Sequence, residues 1–251
     1  MSAVLVIAGT DSSGGAGLTR DVHTLAQLHC EALCAVTAVT VQTDTRFADT
    51  HAVPAAIVSA QIAAALTNHA VGAVKIGMLA SAAVVRAVAA ALEASSVPVV
   101  LDPVLASSSG GTLLGEEGRQ ALLECLLPRA TLLTPNIPEA AALLSLPPAQ
   151  EQKALLEQAQ ALLARGAAAV LLKGGHGSGA QATDYLVRAA HPPQLLRAPR
   201  APRAVRGSGC ALATAIAAGL AAGVELGEAC VRAKVYVTGR FQHSGEQRLS
   251  P

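Results

Sequence analysis

The chain has 251 residues, 52% of them hydrophobic and 14% charged, which suffices for a full core and excludes a disordered tail or a small disulfide scaffold. Eighteen Lys and Arg against 17 Asp and Glu leave a formal charge of +1, with two Tyr, two Phe and no Trp, so the basic field and stacking rings of a nucleic-acid binder are missing. Cys30, Cys34, Cys125, Cys210 and Cys230 form no Cys-x-x-Cys pair, which argues against a thiolate zinc site and fits a reducing, cytoplasmic compartment.

Residues 4–9 read as a strand, too short and too lightly flanked for a signal segment. Further strands are predicted at 33–42, 73–76, 97–102, 131–134 and 168–173, where short Val/Leu/Ile runs alternate with Ala/Leu-rich segments. Helices are predicted at 17–29, 54–68, 81–94, 116–127, 138–145, 151–165, 210–222 and 226–241. The uncharged stretch 50–74 is long enough for a bilayer, but Pro54, Gln61, Asn68, His51 and His69 interrupt it. It reads as a buried helix followed by a strand, with no membrane partner. Two antiparallel strands, 184–189 and 194–198, flank His191-Pro192-Pro193 and belong at a sheet edge. The alternation predicts one α/β domain over 1–251, with a mostly parallel sheet covered on both faces and a frayed tail at 243–251.

Polar residues cluster just after the predicted strands: Thr10-Asp11, Gln42, Lys75-Ile76-Gly77-Met78, Asp102-Pro103, Asn136 with Glu139, and Lys173-Gly174-Gly175-His176. The carboxyl ends of parallel strands share one edge, so these side chains are expected to converge on a single crevice.

Arg206-Gly207-Ser208-Gly209-Cys210 opens a long apolar helix. Free N–H groups at such a start form an anion site suited to a transferring phosphoryl group. Cys210 falls in the first turn, where the helix dipole and nearby cations are expected to lower the thiol and make it a proton acceptor. A flexible loop leading to a core cysteine is the competing reading. Asp11-Ser12-Ser13-Gly14-Gly15-Ala16-Gly17 either closes over a small substrate or simply turns the chain. There is no Gly-x-x-x-x-Gly-Lys-Ser/Thr, and Gly207-x-Gly209-x-x-Leu212 lacks the third small residue of a dinucleotide fingerprint. A dehydrogenase is thereby disfavoured.

Asp102 and Glu139 are hard oxygen ligands of the kind that hold Mg²⁺ on phosphates. Asn136 and Glu139 also have the spacing of a capping box, and the two roles are compatible. Lys173 emerges after an apolar run, where an ammonium can follow phosphate charge, or snorkel. Lys75 is more ambiguous still. Seven dispersed histidines with no His-x-x-x-His pair argue against zinc. Arg197, Arg200 and Arg203 read as a solvated strip, while Arg206 adjoins the anion loop.

With these motifs in order, from residue 4 to 239, the chain resembles the hydroxymethylpyrimidine/phosphomethylpyrimidine kinases, a ribokinase-like family of thiamine biosynthesis. The motifs that carry the resemblance are Ala8-Gly9-Thr10-Asp11-Ser12-Ser13-Gly14-Gly15-Ala16-Gly17 with Asp21, Thr40-Val41-Gln42, Lys75-Ile76-Gly77-Met78-Leu79, Asp102-Pro103-Val104, Thr134-Pro135-Asn136-Ile137-Pro138-Glu139-Ala140, Lys173-Gly174-Gly175-His176 and Gly207-Ser208-Gly209-Cys210. A cysteine at 210, where sugar kinases of the superfamily have aspartate, points to the pyrimidine and pyridoxal branch. The resemblance implies a three-layer α/β/α fold, ATP and Mg²⁺ as cofactors, and a homodimer.

It also implies roles. Cys210 would accept the hydroxymethyl proton while the amides of Gly207, Ser208, Gly209 and Cys210 hold the γ-phosphoryl. Gln42, Asp11, Ala16, Asp21 and Met78 would line the pyrimidine pocket. Lys173, Asn136, Glu139 and Arg206 would serve ATP, with Asp102 and Glu139 on Mg²⁺. The chain departs from the family at Arg206, Ser208 and Ala211 around the anion loop, at Thr43-Asp44, and over Ala106-Ser107-Ser108-Ser109. These positions bear on substrate preference, so a pyridoxal or pyridoxine kinase and a non-catalytic pyrimidine-binding regulator are the alternative readings.

Overall fold

The computed structural model describes residues 3–107, 110–175, 180–200 and 206–242. His176, Ser108, Ser109, Arg203 and the tail 243–251 lie outside the described residues.

In chain order the elements are β1 (Ala3–Ala8), α1 (Gly17–Gln27), β2 (Glu31–Val36), β3 (Ala38–Gln42), β4 (Phe47–Ala52), α2 (Ala55–Asn68), β5 (Val71–Ile76), α3 (Ala82–Ala91), β6 (Val99–Leu101), α4 (Glu116–Ala121), β7 (Leu132–Leu133), α5 (Ile137–Leu144), α6 (Gln152–Ala164), β8 (Ala169–Leu172), β9 (Gln181–Arg188), β10 (Gln194–Pro199), α7 (Ser208–Ala221) and α8 (Leu226–Gln242). Eight strands form one sheet in the order β10-β9-β8-β7-β6-β5-β1-β2. All neighbouring pairs are parallel except those that β9 makes with β8 and β10.

Period-two alternation along these strands builds two cores. Leu5, Ile7, Val74, Ile76 and Leu101 face α2, α3, α5 and α6 on one side. Val4, Val6, Ala8, Ala73 and Val100 face α1, α7 and α8 on the other. The result is a helix–sheet–helix sandwich in which the central strands are buried on both faces and read as unbroken apolar runs. From β1 the chain pairs β2 on one side and β5 on the other, so the strand order reverses between β1 and β5. A crevice opens outside the strand ends at that reversal.

The segment predicted as one strand, 33–42, is two. At Thr37 the chain leaves the main sheet: its N–H donates to the Ala8 carbonyl at 3.1 Å and its hydroxyl to the Met78 carbonyl at 2.5 Å. Beyond it β3 pairs with β4 in a separate antiparallel ribbon. Apolar and β-branched residues run from Leu33 to Val41 without a Gly, Pro, Asn or Asp to mark a break, which conceals this pivot, and polar β4 gives no strand signal. The predicted helix 116–127 is also shorter, ending at Ala121 and continuing as a π turn, Leu122–Leu126, and a 3₁₀ turn, Leu127–Arg129, that holds Pro128. Proline lacks the N–H that regular helix would require there. Among the described residues no helix is long and apolar enough to cross a membrane.

Candidate active site

A cleft of about 1140 Å³ runs along the carboxyl ends of the parallel strands. It is large enough for two small ligands side by side. Gly9 and Thr10 after β1, Met78 after β5, Asp102 after β6, Asn136 and Glu139 at the start of α5, Lys173 after β8 and Gly207 to Cys210 at the start of α7 all line it. Gln42, Ala16 and Arg206 line it as well.

The anion loop is built by backbone conformation. Gly207 caps α7 at φ 75°, in the left-handed region, and a Cβ there would run into the Gly15 carbonyl oxygen. Only glycine lets the N-terminus of α7 approach the loop after β1 this closely. Gly207→Ala is therefore expected to lose about 1–3 kcal/mol of stability from the backbone strain alone, readable as a lowered denaturant midpoint. Lys173 lies over the same loop, since a Cβ on Gly209 would sit 3.1 Å from its Nζ.

Lys173 donates to Asp102 Oδ1 at 2.7 Å and lies 3.9 Å from Glu139 Oε2. Burial works to lower its pKa, but the two carboxylates outweigh it and push the ammonium up to about 12. Glu139 is driven the other way: burial, with Asp102 beside it and against the pull of Lys173, raises its carboxyl to about 7. The capping box exists, with Asn136 Oδ1 accepting from the Glu139 N–H at 2.8 Å and Glu139 Oε2 from the Asn136 N–H at 2.7 Å. Asn136 Oδ1 is thus engaged with the helix start, while Glu139 serves both cap and cleft.

Asp11 and Asp21 do not line the cleft, in contrast to the pocket-lining role expected of them. Asp11 stands behind it, accepting from the N–H groups of Ser13 and Ala16 at 2.9 and 2.7 Å. This caps the loop before α1, which has no side-chain cap of its own. Its Oδ2, which accepts from Ala16, also pairs with Arg206 at 3.0 Å. Arg206 also reaches Ser13 and, at 3.4 Å, Asp44, so it clamps the β1 loop and the β3–β4 ribbon to the anion loop. Asp21 is fully buried between Lys75 and Thr214.

Gln42 lies at the end of β3, its backbone bonded to the Ser12 hydroxyl through both N–H and carbonyl. Among the described residues its side-chain amide has no protein partner. Met78 is 7% exposed and packs with Ala38 and Leu113 at the same end.

The thiol differs from expectation. Cys210 does line the cleft in the first turn of α7, but burial pushes its pKa up to about 11 against the lowering effect of Lys75. Desolvation of a thiolate exceeds what one helix terminus supplies. In the ligand-free protein Cys210 is a thiol at neutral pH, and alkylation by iodoacetamide should remain slow below pH 9 and accelerate toward pH 11.

Sequence reasoning missed the far end of the cleft, formed by Asp184 on β9, Arg200 after β10, and Lys234, Val237 and Thr238 on α8. Arg200, read above as part of a solvated strip, lines the cleft and bonds the carbonyls of Gly175 and Gln181. Asp184 accepts from the Gly174 N–H at 2.9 Å and pairs with Lys234 at 2.7 Å. An Asp one residue before the buried run Tyr185-Leu186-Val187 was the available signal.

Residues 11–248 match the family described as phosphomethylpyrimidine kinase. A hydroxymethylpyrimidine/phosphomethylpyrimidine kinase of Rhizobium meliloti is 41% identical over 236 residues, 93% of this chain and 88% of that protein. A solved phosphomethylpyrimidine kinase from Clostridium difficile superposes with a TM-score of 0.83 at 32% identity, covering 96% of this chain and 99% of the other. An ADP complex of Bacillus subtilis pyridoxal kinase superposes at 0.88 with 29% identity, covering 96% and 92%. The layered architecture is the ribokinase-like one these structures share, and the chain belongs to the phosphomethylpyrimidine kinase family.

Proposed function

We propose that this protein transfers the γ-phosphoryl of ATP to the hydroxymethyl group of 4-amino-5-hydroxymethyl-2-methylpyrimidine and then to the resulting monophosphate. The observation that carries this reading is the meeting, in one cleft, of the Cys210 sulfur, the glycine loop at the start of α7 and the Lys173 ammonium against that loop. Such transfers depend mainly on alignment and on neutralising the three phosphoryl oxygens. The Gly207 to Cys210 segment supplies N–H groups at a helix start and Lys173 a positive charge held in place by Asp102.

Gln42 and Met78 sit at the other end. A primary amide offers a donor and an acceptor to an aminopyrimidine edge, and Met78 packs on the ring face. Gln42→Leu, similar in volume, should raise KM for the pyrimidine at least tenfold and leave KM for ATP within about twofold. Initial rates with each substrate varied in turn measure this.

Mg²⁺ fits the Asp102 and Glu139 pair. Two buried carboxylates share one ammonium, and Glu139 is raised to about 7 chiefly by burial, with Asp102 adding to it, so a divalent cation would offset both effects. The described residues form no cluster of three or more metal-binding side chains, so an ion held here would take the rest of its shell from phosphate oxygens and water. When bound, it would neutralise the β- and γ-phosphates. Arg206, whose buried Nε has no hydrogen-bond partner, would meet phosphate charge at the other side of the loop.

A homodimer also belongs to this reading, supported by β3, which turns Val39 and Val41 outward at 50% and 58% exposure. A cytoplasmic location is supported by the five free cysteines. The test is ADP release with ATP, Mg²⁺ and either the hydroxymethylpyrimidine or pyridoxal, with products identified by mass. Sequential mono- and diphosphorylated pyrimidine is the expected result. Phosphorylation of pyridoxal alone would move the activity to the vitamin B6 branch, and tight binding without ADP would make the protein a regulator.

A further inference from the structure

Lys75 is the largest fully buried side chain among the described residues. It points from β5 into the face covered by α1 and α7, where Val4, Val6, Leu25 and Ile216 pack. Its Nζ lies 2.7 Å from Asp21 Oδ2 on α1, and Asp21 Oδ1 accepts from the Thr214 hydroxyl on α7, also at 2.7 Å. Both members of the ion pair are 0% exposed.

Stability does not account for this arrangement. Taking two charges from water into an apolar layer is costly, and packed apolar side chains of similar volume commonly do as well or better. The location supplies a different reason. Thr214 is one helical turn beyond Cys210 on α7, a spacing that places both on one face. Lys75 and Cys210 line the same cleft. The charged groups that act on the sulfur come from several neighbouring elements: Lys75 on β5, Asp21 on α1, Asp102 after β6 and Lys173 after β8. Of these charges Lys75 acts most strongly, and in the direction that favours the thiolate.

We infer that Lys75, anchored by Asp21 and Thr214, is a positioning residue whose ammonium is the countercharge for the Cys210 sulfur during the first phosphorylation. The inference rests on the kinase reading above. The substrate hydroxyl oxygen forms its bond to the γ-phosphorus as the bond to the β-bridging oxygen breaks, and that electron pair leaves with ADP. The hydroxyl proton passes to the Cys210 thiolate, and the thiol later returns a proton to solvent. Lys75 remains protonated throughout and touches no reacting atom. Asp21 fixes the ammonium in place, and the Thr214 hydroxyl fixes Asp21 relative to the helix that carries Cys210.

The test is the pH dependence of Cys210 carboxamidomethylation in the full-length, ligand-free protein, read by mass on the Cys210 peptide. Lys75→Met should slow alkylation at pH 9 by about tenfold, one unit of thiol ionisation. The paired variant Asp21→Asn/Lys75→Met leaves no buried charge alone and guards against misfolding of the single one. It should shift the curve the same way by a smaller factor, because the Asp21 carboxylate, which opposes the thiolate, is lost together with the ammonium that favours it. If either folded variant gives a curve superimposable on wild type, Lys75 is only structural and the inference falls. This assay needs no substrate, so wild type that fails to phosphorylate the pyrimidine would overturn the kinase reading separately.

Discussion

Cys210→Ala should lower the first phosphorylation by about 10²–10⁴-fold, the range over which a positioned proton acceptor acts. The second step should survive within a few-fold. Its nucleophile is a phosphate monoester oxygen whose second ionisation lies near pH ~6, so it arrives deprotonated and needs no base. The alcohol of the first step must lose its proton as the new bond forms. Cys210 is suited to receive it because burial leaves its conjugate thiolate strongly basic, with a pKa of about 11. The same burial keeps the thiolate scarce at neutral pH, which is why a countercharge matters. ADP release measured separately with the alcohol and the monophosphate decides the point. Equal losses in both steps would make Cys210 part of the anion loop instead of a proton acceptor.

Lys173→Met should lower both steps by about 10²–10³-fold, as expected for removing one preorganised charge from a developing phosphoryl anion. The reason is geometric. The ammonium lies against Gly209 in the anion loop while paired with Asp102 at 2.7 Å, so it serves the phosphoryl group whichever oxygen attacks. Removing it also leaves two buried carboxylates facing each other, and Glu139, already raised to about 7, should take up a proton. Lys173→Arg should not rescue, since the site holds a compact point charge and a planar guanidinium does not fit. Single-turnover transfer with saturating ATP, beside a melting curve, separates catalysis from folding. Activity within a few-fold of wild type would place the phosphate charge elsewhere, with Arg206 the next residue to remove.

The two variants test different parts of one cleft. A loss confined to the first step at Cys210, together with a loss in both steps at Lys173, is the pattern that a single site performing two successive transfers must give.

The alternation of apolar runs and alanine-rich helices determined the layered sheet, because strands buried on both faces must be apolar throughout and the helices between them must cover both sides. The positions of Met78, Asp102, Glu139, Lys173 and Cys210 after strands or at helix starts likewise placed them in one cleft, since parallel strands end at a common edge, whereas Gln42 reaches it from β3, outside the parallel sheet. The tertiary structure decided what the one-dimensional pattern cannot encode. Thr37 bends the chain out of the sheet through bonds to Ala8 and Met78, partners 29 and 41 residues away. Asp11 and Asp21 stand behind the cleft because Arg206, Lys75 and Thr214, all distant in sequence, claim their carboxylates. The Cys210 thiol is raised and not lowered because its ionisation depends on how much water the neighbouring elements exclude. Local sequence fixes which strand ends and helix starts meet at the cleft; long-range partners and burial fix which side chains face it and what charge they carry.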